Sequence, residues 1–335
     1  MSKVKKIFGG ILVLGLASVV GGGAWVSKEI GPTAPGDKKL IRFDSGKSFN
    51  AAMAEMQRLG VIKNPMAMNL YAKVKGKYEA FRSGTFEVQP GMTADHLFKA
   101  LNSPLKQMVR IPEGWWAARV ADRLEAKGVC KKGEYVDLVK QPEKFQKYVS
   151  FPLPKNTLEG YLYPDTYDLP PMIGAFETIK IQLKTFDQRI AKELPKGANI
   201  ARLVNIASMV ECETAKDEER PRVAGVIENR LRKGMRLQID ATVLYALQVW
   251  KNLGPGVVNT VKSPYNTYLI DGLPPGPICS PSARSVMAAL KPESHNYFFY
   301  VALPTQFHLF STDYGSHLSN INKARAAMRA AREQG

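Results

Sequence analysis

A glutamate at the end of an apolar helix is the residue in this sequence best placed to move a proton. Ile200–Thr214 carries helical spacing, with Leu203, Ala207 and Val210 on one stripe. Glu211 follows Val210 and stands four residues after Ala207, so its carboxyl falls on the margin of that stripe. Partial desolvation at such a margin favours the protonated form of a carboxyl. A protonated carboxyl can donate to a leaving glycosidic oxygen. The competing reading is a solvated helix-end acid. Glu213, two residues on, points elsewhere on a helix and is not the obvious second carboxylate.

Four other stretches could grip a substrate or hold the side chains that do. Glu159-Gly-Tyr-Leu-Tyr-Pro-Asp-Thr-Tyr167 places two carboxylates, Glu159 and Asp165, among tyrosines that include Tyr163. Aromatic faces beside carboxyl and hydroxyl groups suit a sugar polymer, which stacks through its rings and hydrogen-bonds through its hydroxyls. The same tyrosines could instead fill a core edge. Leu237-Gln-Ile-Asp-Ala-Thr242 alternates, so Gln238, Asp240 and Thr242 would line one face of an extended segment. Alternatively, Asp240 or Thr242 caps a helix over Val243–Trp250. Ser263-Pro-Tyr-Asn-Thr-Tyr268, with Tyr265 and Asn266, and Gly272-Leu-Pro-Pro-Gly-Pro-Ile278 are rigid turns that hold side chains.

The elements that must position these groups follow from pattern. After a Pro/Gly linker at Gly31–Gly36, Lys39–Phe43 reads as a strand and Phe49–Leu59 as a helix ending at Gly60. Asn64–Val74 is a second short helix, Gly84–Val88 a strand, and Thr93 caps a helix through Leu101. This order implies a compact α+β module over residues 39–105. A second unit, residues 106–335, opens with a strand at Gln107–Ile111 and a helix carrying Ala117, Val120 and Leu124, closed by Gly128. Ala175–Leu194 and Ile200–Thr214 are further helices. Pro221 opens another, closed by Gly234. Tyr297–Ala302 and His308–Ser311 form a hairpin, and His317–Arg332 a terminal helix. The expected fold class is α+β.

The N-terminus bears on compartment. Lys3, Lys5 and Lys6 precede an uncharged run from Phe8 to Val26, which at about 1.5 Å per residue reaches about 28 Å. The lysine bias makes residues 1–7 a cytoplasmic tail, 8–26 an uncleaved transmembrane anchor and 27–38 a linker. The competing reading is a cleaved signal peptide. Either reading puts the rest of the 335-residue chain outside the cytoplasmic membrane, which disfavours ATP and nucleic acid as substrates and favours cell wall. The net charge of +17 favours an anionic polymer or surface. No nucleic-acid module is visible. The three cysteines and four histidines show no metal-ligand spacing, so no metal or cofactor is expected. An odd cysteine count leaves at least one thiol free.

The order of the motifs is more telling than any one of them. Leu158–Tyr167, Ala207-Ser-Met-Val-Glu-Cys-Glu-Thr214, Asn229-Arg-Leu231, Met235–Thr242, Ser263–Tyr268 and Gly272–Pro277 together closely resemble the MltG (YceG-like) endolytic murein transglycosylases. The resemblance runs from the anchor to near the C-terminus. It implies a single-pass inner-membrane protein with its catalytic domain in the periplasm and a LysM-like module beside that domain. It implies cleavage of the MurNAc–GlcNAc β-1,4 bond within glycan strands, leaving 1,6-anhydro-MurNAc ends. It makes Glu211 the catalytic acid and base. Glu159, Tyr163, Asp165, Gln238, Asp240, Thr242, Tyr265 and Asn266 become candidate substrate contacts. The expected partners are peptidoglycan strands and the cytoplasmic membrane, with peptidoglycan synthases as candidates and nucleic acid excluded. Cys212 stands where the family often has lysine, Ala241 where it has proline, and Ser280 and Ser282 where it often has Asn and Gly. A muramidase hydrolysing the same bond and a non-catalytic wall-binding scaffold are the alternatives.

Overall fold

The structure, a computed structural model, describes residues 22–77, 82–249, 253–254 and 256–333. Residues 1–7 and most of the expected anchor, residues 8–21, lie outside these; residues 22–29 are helical. Among the described residues no helix is long and apolar enough to cross a membrane. The fold is mixed α+β, dominated by helices with small two-stranded sheets. The chain divides into two compact units. One runs to Gln107 and includes Asp168–Ile173, and the other takes Met108–Tyr167 and Gly174–Gly335.

In the first unit, β1 (Lys39–Phe43) pairs antiparallel with β2 (Gly84–Val88), with Ile41 opposite Phe86. Helices α1 (Phe49–Arg58), α2 (Pro65–Val74) and α3 (Ala94–Leu101) complete it. Ser48, Asn64 and Thr93 each cap a helix by accepting a backbone N–H that the first turn leaves unpaired. Ile41, Phe43, Met53, Met56, Phe86, Leu97 and Leu101 form the centre of its core.

The second unit contains α4 (Ala117–Ala126), α5 (Lys132–Val139), α6 (Ala175–Arg189), α7 (Ile200–Glu213), α8 (Arg220–Arg232) and α9 (Asp240–Leu247). It also contains α10 (Ala283–Leu290) and α11 (Tyr314–Glu333). Short strands β3 (Met108–Arg110) and β4 (Thr166–Asp168) pair, as do β5 (Phe299–Ala302) and β6 (His308–Ser311), the expected hairpin. The central element is α7. Every residue from Leu203 to Val210 is buried, so α7 is enclosed by neighbours rather than packed on one face. α8 and α10 pack against it.

Polar groups inside that core fix the loop register. Asn205 of α7 donates to the Pro274 carbonyl at 2.8 Å, and the Ile278 N–H donates to the Ser208 hydroxyl at 3.1 Å. These bonds lay Pro274–Ile278 along α7. Gly160 meets the same place with φ +85°, where a Cβ would stand 2.5 Å from Pro277 and 2.9 Å from Val204. Only glycine accepts both that backbone angle and that approach. Sequence motifs more than a hundred residues apart thereby converge on one helix.

Candidate active site

Glu211 occupies the last turn of α7, where the enclosed helix reaches a cleft of about 760 Å³. Its side chain is 6 % exposed, well short of a solvated helix-end acid. One carboxylate oxygen, Oε2, accepts three bonds: the Ser282 N–H at 2.8 Å, the Ser282 hydroxyl at 2.6 Å and the Ser285 hydroxyl at 2.8 Å. The other oxygen, Oε1, faces the Arg220 guanidinium at 3.2 Å.

Ser282 is the N-cap of α10, its hydroxyl also accepting the Ser285 N–H at 3.3 Å. The Glu211 carboxylate thus lies at the positive end of α10, which offsets the negative end of its own helix. Arg220 stands at the start of α8 and makes two further bonds, to the Ser285 hydroxyl at 2.6 Å and to Asp217 at 2.9 Å. The Arg220 guanidinium holds the Asp217 carboxyl below its usual range, with Arg284 adding a second ion pair. Arg220, Ser285, Ser282 and Asp217 therefore fix the geometry of Glu211, and composition alone points to none of them. One signal was available: Ser282 precedes a short apolar run, as an N-cap does.

The cleft is lined further by Arg110, Glu113, Cys212, Glu213, Arg284 and His308. Glu213 differs from its expected placement. As the final helical residue, before Thr214 turns extended, it reaches the same cleft. Burial pushes its carboxyl up, and the Tyr300 hydroxyl donates to it at 2.7 Å. Two more cavities share residues with the cleft. One, about 300 Å³, shares Arg110 and Glu113 and is lined by Tyr163, Asp165 and Arg189. The other, about 440 Å³, shares Glu213 and is lined by Gln238, Asp240, Arg230, Tyr268 and His317.

The remaining candidate contacts sit behind this surface. Glu159 is 3 % exposed and lines none of these cavities. Both its oxygens accept the Ala117 N–H, at 3.1 and 3.0 Å, capping α4 where Trp116 offers no side-chain bond. Burial pushes its carboxyl up to about 7 against the opposing pull of those bonds. Thr242 is buried and bonds to the Ile239 carbonyl and the Thr267 hydroxyl. Asn266 is buried and donates to the Val258 and Val261 carbonyls, closing its own loop. Tyr265 is half-buried, its ring centroid 4.9 Å from that of Tyr245.

The expected extended face at 238–242 does not form. Gln238 adopts φ +51° and α9 begins at Asp240, which accepts the Tyr268 hydroxyl at 2.5 Å. A helix start separates Thr242 from the other two residues, because side chains two apart on a helix diverge. Asn229 and Arg230, from the Asn-Arg-Leu motif, hold the segment that leads into the hairpin. They donate to the carbonyls of His295, Tyr297 and Phe298.

The described residues hold no group of histidine, cysteine and acidic side chains suited to a metal ion. The YceG-like family matches residues 41–323 of this sequence. A protein of Bacillus subtilis (strain 168) named endolytic murein transglycosylase is 30% identical over 311 residues, covering 85% of this chain and 85% of that one. A protein of the same name from Streptococcus pneumoniae serotype 2 (strain D39 / NCTC 7466) is 28% identical over 334 residues. The match covers 88% of this chain and 60% of that longer protein. A crystal structure of a YceG-like protein from Listeria monocytogenes aligns with a TM-score of 0.58 and 31% identity, over 84% of this chain and 99% of that one. A match to the family over most of the sequence, with motifs converging on one buried glutamate, establishes that this chain belongs to the YceG-like family.

Proposed function

We propose that this chain is an endolytic peptidoglycan lytic transglycosylase. It cleaves the MurNAc–GlcNAc β-1,4 bond in nascent glycan strands, leaves 1,6-anhydro-MurNAc ends and so limits strand length. The observation that carries this reading is the buried Glu211 carboxyl held by Ser282, Ser285 and Arg220 in a cleft flanked by two further cavities. Cavities adjoining the cleft leave room for sugars beyond the bond cleaved, which suits attack within a strand rather than at its end.

Glu211 serves as acid and then as base. Three donors hold Oε2, so Oε1, which faces the Arg220 guanidinium at 3.2 Å, is the oxygen that exchanges the proton. The protonated carboxyl donates to the glycosidic oxygen as the bond to MurNAc C1 breaks. The resulting carboxylate, stabilised by Arg220 and the α10 N-terminus, takes the proton of the C6 hydroxyl of the same MurNAc. O6 then bonds to C1 and closes the anhydro ring. The proton returns to Glu211, and no water is consumed. Tyr163, Asp165, Gln238 and Asp240 line the flanking cavities and serve as glycan contacts.

Hydrolysis is the second reading, because Glu213 shares the cleft. Its burial favours the neutral acid and Tyr300 already occupies one of its oxygens, which makes it a poor base for activating water. Mass spectrometry of glycan strands digested by the purified protein separates the readings. Anhydro ends are expected, and reducing ends without them would establish hydrolysis. Binding without any product would leave a wall-binding scaffold.

The same proposal places the N-terminal segment in the inner membrane and the remainder in the periplasm, with peptidoglycan synthases as partners. Its support is the lysine-flanked apolar run from Phe8 to Val26. The strand–helix–helix–strand–helix order of the first unit supports a LysM-like module. Release of the protein from membranes by alkaline carbonate would refute the anchor.

A further inference from the structure

The proposed reaction uses neither of two thiols beside Glu211. Cys212 is its neighbour on α7 and lines the cleft. Cys279 is fully buried and lies three residues before Ser282. Their sulfurs are 3.2 Å apart, although the residues are far apart in sequence. The Cys279 thiol also contacts the Ser208 carbonyl at 3.2 Å, so its side chain is held towards α7. A disulfide requires a separation of about 2.05 Å, an approach of about 1 Å. Thr214 leaves the helix in an extended conformation two residues beyond Cys212.

We propose that Cys212 and Cys279 are an oxidisable pair that closes into an intramolecular disulfide by exchange with a small-molecule or protein disulfide. The Cys212 thiolate, reached from the cleft, attacks one sulfur of the oxidant and expels the other as a thiolate. Cys279 then loses its proton and attacks the Cys212 sulfur, expelling the second thiolate. Two thiols become one disulfide while the oxidant's disulfide becomes two thiols, a balanced two-electron transfer. Cys212 lines the cleft whereas Cys279 is sealed from it, its thiol pushed well up by burial, so Cys212 is the first attacker. The new bond ties the end of α7, which carries Glu211, to the segment that presents Ser282. A covalent loop of this kind also restricts the unfolded chain.

The chemistry is independent of the reaction assigned above; only its occurrence in the cell rests on the periplasmic location. The test treats the purified full chain with oxidised glutathione, quenches with acid, alkylates free thiols and maps the peptides. One disulfide linking Cys212 to Cys279 is expected, with Cys130 alkylated and no stable glutathione adduct. The oxidised form should melt several degrees above the reduced form, and reductant should abolish the difference. Cys279→Ala should stop at a glutathione adduct on Cys212, and Cys212→Ser should show no melting shift. Full alkylation of both cysteines under conditions that oxidise a control dithiol overturns the proposal. So does a disulfide to Cys130. Should Cys279→Ala not fold, the mapping of the wild type and Cys212→Ser decides alone.

Discussion

Replacing Glu159 with Gln should change how the stability of this protein depends on pH. The Glu159 carboxyl is sealed beneath the start of α4, and burial raises it from 4.5 to about 7. Between those values the folded chain keeps a proton on Glu159 that the unfolded chain has lost. Stability contributed by this group is therefore complete below pH 4.5 and is lost as pH rises through about 7. At about 1.4 kcal/mol per pH unit, the loss amounts to about 3 kcal/mol. Glu159→Gln retains a carbonyl oxygen for the Ala117 N–H and cannot ionise. It carries a fixed cost from an amide that faces the Tyr245 hydroxyl, 3.5 Å from Oε2 of the wild type, but that cost does not vary with pH. Urea denaturation of both proteins from about pH 4 to about pH 8 isolates the effect, since all other titrations are common to the two. The stability of the variant relative to the wild type should rise by about 3 kcal/mol across that range. A difference that stays constant with pH would refute the conclusion that burial raises the Glu159 carboxyl.

Substitutions at three further positions test the cradle and its supports. Arg220→Ala leaves the buried Glu211 without its cation and should cost about 3–5 kcal/mol in urea denaturation. Glycan turnover should fall with it, and Arg220→Lys should recover only part, since an ammonium cannot span Glu211, Ser285 and Asp217. Ser282→Ala removes the α10 N-cap and a donor to Glu211; stability should drop by about 1 kcal/mol and turnover about tenfold. Gly160→Ala forces a left-handed residue into Pro277 and should destabilise by about 2–5 kcal/mol, read from the urea midpoint.

Elements with strong local signals were legible in the sequence. The cap at Thr93 and the helical spacing of α7 needed no tertiary information, whereas the burial of α7 on all sides did. Short helices were harder: α5 lacks a side-chain cap, and α10 is only two turns of small residues after a Pro-rich loop. The motif residues were legible as a set but not in their individual roles. Glu159, Thr242 and Asn266 belong to the most recognisable stretches, yet each spends its polar groups on the protein's own backbone or a neighbouring hydroxyl. Sequence spacing cannot distinguish a side chain that holds a loop from one that faces a cleft. Arg220 and Ser285 were invisible because their meaning depends on α7, α8 and α10 meeting at one point, a contact across more than sixty residues. Glu213 diverges from Glu211 as helical geometry requires, towards Tyr300 and the neighbouring cavity, but the cleft at the helix end is wide enough to include both.

The claim that one carboxyl carries out both proton transfers is tested most directly by Glu211→Gln on intact glycan strands in heavy-oxygen water. The wild type should release anhydro-ended products without solvent oxygen. The folded variant should lose about 10²–10⁴-fold in rate. Undiminished turnover in the variant, or solvent oxygen in the wild-type products, would contradict the account.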